Sequence, residues 1–98
     1  MRRACLLMLF LGLLGCVTSI PEEELVLAET AVEAAREAKA DFHSPALFQR
    51  AEDYLKAAQK AKSERDFNQA RTLALRAKEF AEKAEEDAVI KQEKGESQ

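Results

Sequence analysis

Few residues of this 98-residue sequence are of the types that carry out chemistry. The chain has two cysteines, Cys5 and Cys16, and a single histidine, His43. His43 is followed by Ser44, but side chains one residue apart do not face each other, so the pair forms no catalytic dyad. A zinc site needs about four ligands, and these residue types are too few to supply them. The sequence therefore predicts neither an enzyme nor a metal site.

The residues before Cys16 differ in kind from those after it. Met1-Arg2-Arg3 is basic, and no charged residue occurs from Ala4 to Gly15. A basic start before an apolar run of about a dozen residues is typical of a secretory signal peptide. A membrane-spanning helix needs about 20 apolar residues. We therefore predict that residues 1–15 are a removable signal peptide. Cys5 would be lost with it, which leaves Cys16 without a partner for an internal disulfide.

The tetrapeptide that ends at this cysteine resembles the lipobox of bacterial lipoproteins. Its residues are Leu13, Leu14, Gly15 and Cys16. The resemblance implies that the first three are recognised by a dedicated signal peptidase. It also implies that Cys16 becomes the first mature residue and carries diacylglyceryl and N-acyl groups. Apart from this covalent lipid, we expect no cofactor.

Residue 17 and the charge of the chain bear on location. In lipoproteins of this class, an aspartate after the lipidated cysteine favours retention in the inner membrane, and here that residue is Val17. The resemblance thus points to the periplasmic face of the outer membrane. Loss of residues 1–15 removes two arginines and no acidic residue, so the formal charge of −3 becomes −5. Such a domain is not expected to bind nucleic acid, and the lipid must supply the membrane attachment.

The mature chain is rich in strong helix formers and is predicted to be all-α. Alanine alternates with Glu, Lys, Arg, Gln and Leu, and no segment has the alternating pattern of a strand. We expect a tether over residues 16–19, a three-helix domain over residues 20–91 and a disordered tail over residues 92–98. Within the domain, the helices are predicted over residues 20–42, 45–63 and 67–91.

Three short sequence patterns support the starts of these helices. Ser19 and Glu22 fit a capping box at the first helix, and Asp66 and Gln69 fit another at the third. Ser44 precedes a proline, so it is a good N-cap for the second helix. Short connections favour an antiparallel up-down-up three-helix bundle or an array of helical hairpins.

The expected core is thin because most inward positions hold alanine. Helical spacing predicts the larger inward residues: Leu25, Val32 and Phe42 in the first helix, Leu47, Tyr54 and Leu55 in the second, and Phe67, Leu73 and Phe80 in the third. A domain of this size is only marginally stable with such a core, so a partner surface could add burial. We expect Phe48, beside a turn, to be the aromatic residue exposed for a partner.

The spacing of the alanines is similar to that of a known family. The pattern Ala28-x-x-Ala31…Ala35-x-x-Ala38, with Ala70-x-x-x-Ala74-x-x-Ala77-x-x-x-Ala81 further on, resembles the alanine-rich domain of small bacterial lipoproteins called domain of unknown function 4398. The likeness covers roughly residues 25–88 and brings no catalytic residue with it. In some members a peptidoglycan-binding domain follows, for which this sequence has no room. The second and third helices also resemble a tetratricopeptide unit in their packing style.

These observations favour a membrane-anchored, non-catalytic structural or protein-interaction module of the cell envelope, with an envelope protein as its partner. Two alternatives stay open: a carrier of a small apolar ligand between the helices, and an oligomeric coiled-coil spacer. The major murein lipoprotein is joined to peptidoglycan through a C-terminal lysine. This chain ends Gly95-Glu96-Ser97-Gln98, so we expect no covalent attachment by that route.

Overall fold

The computed structural model describes residues 20–96, and the side chains of residues 20–95. Within that range the chain forms four helices and no strand. They are α1 (Glu22–Glu37), α2 (Ala40–His43), α3 (Pro45–Ser63) and α4 (Phe67–Glu96). The all-α prediction is therefore confirmed. The predicted capping residue Ser19 lies outside the described residues, and Pro21 occupies the N-cap position of α1.

The three long helices run up, down and up. Glu24 near the start of α1 pairs with Arg71 near the start of α4, so these two helices are parallel. Glu22 also pairs with Lys62 at the end of α3, which makes α3 antiparallel to both. Helix α4 packs closely against both other long helices, whereas α1 and α3 touch each other less. This is the predicted three-helix bundle, with α4 as its common wall.

A stripe of alanines on α4 forms the centre of the bundle. Its members are spaced alternately by four and three residues and are fully buried: Ala70, Ala74, Ala77, Ala81, Ala84 and Ala88. The mean repeat of 3.5 residues keeps the stripe facing its neighbours along the whole helix, as in a coiled coil. Matching buried residues on α1 and α3 complete two core clusters, one around Leu25 and one around Phe48.

The first helix is shorter than predicted. It ends at Glu37, Lys39 takes a left-handed conformation (φ 59°), and the chain restarts as α2. A continuous helix would carry the inward face from Ala35 to positions 39 and 42, which would bury the Lys39 ammonium group. The break instead buries Ala40 and leaves Phe42 in solvent, 78% exposed. The prediction that Phe42 lies in the core is therefore wrong.

The two later turns follow the predicted boundaries, but their caps differ. Ser44 occupies the N-cap of α3 with Pro45 at the first position, yet its hydroxyl makes no capping hydrogen bond. Asp66 does accept a hydrogen bond from the Gln69 backbone N–H, at a long 3.4 Å. Arg65 before it is left-handed (φ 63°), which reverses the chain in three residues. The sequence thus located both turns correctly.

The last helix is longer than predicted. Its predicted end was Lys91, with a disordered tail over residues 92–98, but α4 continues to Glu96. Two side chains beyond Asp87 explain the extension. Lys91 Nζ donates to the His43 carbonyl at 2.8 Å, and Gln92 Nε2 donates to the Ala38 carbonyl at 2.6 Å. The prediction of a disordered tail is therefore wrong for residues 92–96, because Lys91 and Gln92 donate hydrogen bonds to carbonyl groups at the ends of α1 and α2.

Candidate functional site

The predicted lipidation motif, Leu13-Leu14-Gly15-Cys16, lies outside the described residues. What the structure adds is the point in the sequence at which the folded domain begins. Ile20 is the first described residue and α1 begins at Glu22. The lipid attachment predicted at Cys16 would therefore be only a few residues from the bundle.

Large apolar side chains are exposed at the two ends of the described bundle. The near end, close to Cys16 in sequence, comprises the start of α1, the end of α3 and the start of α4. The far end comprises α2, the start of α3 and the end of α4. The near end exposes Ile20, Val26, Leu27 and Leu75, and the far end exposes Phe42, Val89 and Ile90. Between these ends, the exposed residues of 28–37 and 76–88 are polar, and Phe80 is only partly exposed.

The structure reverses the expected roles of two aromatic residues at the far end. Phe48, predicted to be exposed for a partner, is only 5% exposed and packs with Val32 and Ala84. Its ring is the largest buried side chain in a core cluster that otherwise consists of Val32 and alanines. Phe42 is the exposed aromatic instead, and its ring meets the His43 ring edge-on at 5.0 Å. The expectation for Phe48 is corrected, and Phe42 takes its place as the candidate contact.

A polar cluster connects α4 to the break between α2 and α3. The buried Ser44 hydroxyl donates to the Asp87 carboxylate, and Lys91 Nζ lies 3.0 Å from Asp87 Oδ2. These two hydrogen bonds, that from Ser44 first, lower the pKa of Asp87 below its ordinary value. Both favour the ionised carboxylate. The Asp87 carboxylate and the Lys91 ammonium group pair with each other. We therefore interpret the cluster as a structural contact that holds α4 against the break between α2 and α3, and not as a reactive centre.

An open groove runs between α3 and α4. It has a volume of about 330 Å³ and is lined by Arg50, Asp53, Tyr54, Ala57 and Leu73. The ring of Tyr54 stacks on that of Phe80, with centroids 5.4 Å apart and planes 13° from parallel. The Arg50 guanidinium and the Lys83 ammonium lie 5.6 and 5.4 Å from the Phe80 centroid. Such cation–π contacts hold long side chains over the rings and keep part of the apolar surface covered.

Glu22 and Glu24, two of the three consecutive glutamates that begin α1, do not converge on one point. Glu22 and Glu24 point to different cations on α3 and α4. The described residues contain no group of His, Cys, Asp and Glu side chains arranged to hold a metal ion. Two pairs with i, i+4 spacing on α4, Glu79–Lys83 and Asp87–Lys91, form ion pairs at 3.2 and 3.0 Å. Glu52 of α3 pairs across the bundle with Arg36 on α1, at 3.5 Å.

The sequence pattern does not reveal that Lys91 and Gln92 donate hydrogen bonds to the break, because it places one at the end of the domain and the other in the tail. Their partners are the backbone carbonyls of His43 and Ala38, which carry no side-chain signal. One signal was available in Lys39. A lysine at an inward helical position indicates a break, and a break leaves carbonyls that need donors.

Comparison with known proteins identifies the family of the chain. Residues 23–98 match the family described as a domain of unknown function, DUF4398, and the chain belongs to that family. This confirms the likeness seen in the alanine spacing. No curated protein and no solved structure matches the chain. Among the described helices, none is both long and apolar enough to cross a membrane.

Proposed function

We propose that this protein is a lipoprotein held by Cys16 on the periplasmic face of the outer membrane, where it acts as a non-catalytic structural or protein-interaction module. The sequence supports the anchor: a basic start, an uncharged run and Leu13-Leu14-Gly15-Cys16 occur in register. Two or three acyl chains on one cysteine are enough for stable membrane attachment, whereas a single acyl chain gives only marginal binding.

The exposure of Phe42 is the observation that supports an interaction role. The Phe42 ring is 78% exposed, and Val89 and Ile90 at the same end are exposed as well. Contact with water is unfavourable for these apolar side chains, so their burial against a partner surface would be favourable. The far end is also held firmly by Ser44, Asp87 and Lys91, so a partner would meet an ordered surface. We therefore assign partner binding to the far end.

The anchor is tested by metabolic labelling with a radioactive fatty acid. Cys16→Ser is expected to abolish incorporation and to release the domain from membranes or leave the uncleaved precursor. Cys5→Ser is the matched control, because this cysteine lies within the signal peptide, and it should be labelled like the wild type. Equal labelling of Cys16→Ser and wild type would contradict the lipoprotein assignment. Recovery of the protein with inner-membrane markers in density-gradient fractionation would contradict the outer-membrane assignment and leave the lipoprotein assignment standing.

Partner binding is tested by a photo-crosslinking amino acid placed in cells at position 42, with position 82 as the control. Both are exposed, but Glu82 lies midway along α4, away from the far end, and pairs with Lys78 at 3.8 Å. The proposal expects one discrete crosslinked protein from position 42 and none from position 82. Crosslinks of equal yield and pattern from both positions would contradict a specific far-end contact.

A second candidate function is the carriage of a small apolar ligand, which the groove beside Tyr54 and Leu73 favours. Native mass spectrometry of the protein from cells would reveal a bound compound that Leu73→Gln loses. The third hypothesis, an oligomeric spacer, expects a stable elongated trimer in sedimentation, whereas the self-folded bundle expects a monomer or weak dimer.

A further inference from the structure

The near end exposes four large apolar side chains that no contact within the described fold explains. Ile20 precedes α1, and Val26 and Leu27 lie on its first two turns. Leu75 follows Ala74, which belongs to the same core cluster as Leu25, so it lies at the same level of the bundle. The neighbouring residues Leu25 and Ala28 are buried, which shows that α1 already uses its other face for the core.

The distance to the lipid-bearing cysteine limits where this end can be. Four residue steps separate Cys16 from Ile20. Even a fully extended chain covers at most about 3.3–3.6 Å per residue, so Ile20 lies within about 14 Å of the Cys16 backbone. Leu27 is five residues into α1, or roughly 8 Å along its axis at 1.5 Å per residue. The near end must therefore stay beside whatever surface holds the lipid.

The charges of the near end are compatible with contact between this end and a membrane surface, but they do not drive it. Glu22 pairs with Lys62 at 2.5 Å, and Glu24 pairs with Arg71 at 3.2 Å, so two carboxylates of the acidic start of α1 are compensated. Repulsion from anionic headgroups is thereby reduced. The attraction has to come from the apolar side chains, since the chain as a whole is acidic. Contact of this kind should depend little on salt.

We propose that the near end is a lipid-contacting surface, in which Ile20, Val26 and Leu27 enter the headgroup region of the bilayer that holds Cys16, and that Leu75, at the same level of the bundle, adds to this surface. Apolar faces of surface-bound helices enter this region to a depth of about 5–10 Å, and the short tether keeps these side chains within reach of it. The far end, with Phe42, is then directed away from the bilayer. The inference rests on the proposed lipidation and adds an orientation to it.

The test uses the full acylated protein in phosphatidylcholine–phosphatidylethanolamine vesicles, with an environment-sensitive fluorophore on a single new cysteine. Leu27→Cys and Ile90→Cys are matched, because both side chains are 43% exposed and lie at opposite ends. Acylated Cys16 has no thiol to react, and Cys5 is removed with the signal peptide. The unsubstituted protein should therefore take up no label, and this control reports on lipidation by itself.

The proposal expects blue-shifted emission and strong quenching by nitroxide-labelled lipids at position 27, and neither effect at position 90. The result should be the same at low and high salt. Absence of quenching at position 27 in vesicle-bound protein would overturn the proposal and leave lipidation standing. So would equal quenching at both positions, or a blue shift at position 27 that disappears when protein is diluted in excess lipid, since that indicates a second copy of the chain. Label uptake by the unsubstituted protein would overturn the lipidation and the orientation together.

Discussion

The two ends of the bundle are built from the same alanine seam but are held in different ways. At the near end, the helices meet around Leu25 and are connected by surface ion pairs such as Glu22–Lys62. At the far end, the core includes the large ring of Phe48, and α4 fastens the broken segment through Ser44 and Asp87. The difference shows that the interrupted segment is held by hydrogen bonds from α4, while the uninterrupted start of α1 is held by packing and by ion pairs at the surface.

Truncation of Phe48, the buried aromatic residue of the far end, should change the free energy of unfolding more than any other substitution proposed here. Phe48→Ala removes a buried ring and leaves a cavity, which should lower the free energy of unfolding by about 3–5 kcal/mol. Leu25→Ala, the near-end counterpart, should cost about 2–5 kcal/mol. The exposed Phe42→Ala is the control, and should change stability by less than about 0.5 kcal/mol. Urea unfolding followed by circular dichroism measures all three. A loss at Phe42 equal to that at Phe48 would contradict the burial described for these rings.

Removal of the amide that caps the break should have a moderate effect. Gln92→Ala deletes the hydrogen bond to the Ala38 carbonyl and should cost about 1 kcal/mol. The end of α4 should also exchange its amide hydrogens faster. Gln59→Ala is the matched control, because its hydrogen bond to Glu29 is long, at 3.3 Å, and exposed. If the two variants were equally stable and α4 exchanged as in the wild type, Gln92 would not be what extends the helix to Glu96.

The smallest effect concerns pH. Because the folded state lowers the pKa of Asp87, its carboxylate stabilises the fold above the ordinary value of 3.8, and this contribution is lost as pH falls through the lowered value. The stability difference between wild type and Asp87→Asn should therefore be constant from neutral pH to about pH 4 and shrink below it. Urea midpoints across this range measure it, with the exposed far-end carboxylate variant Asp41→Asn as the control. If the stability difference between wild type and Asp87→Asn grew on acidification, folding would raise the pKa of Asp87 and not lower it.

Several elements could be predicted from residue patterns because their causes are local. The alanine stripe from Ala70 to Ala88 needs only helical spacing, and the start of α3 needs only the constraint that Pro45 places on Ser44. The turn before α4 follows from Asp66, whose side chain caps the residues directly after it. The lipobox pattern likewise depends on adjacent residues, and the anchor that it predicts is tested by labelling at Cys16.

The remaining features were decided by tertiary structure. Whether Phe42 is buried depends on the break at Lys39, which turns the chain so that Ala40 enters the core instead. The end of α4 depends on carbonyls of Ala38 and His43, more than 45 residues away in sequence. Sequence by itself determined the helices, their order and the alanine seam, since these depend on propensity and period. Only the packed fold decided where the first helix breaks and how far the last one runs, because both depend on donors and apolar surfaces that distant segments supply.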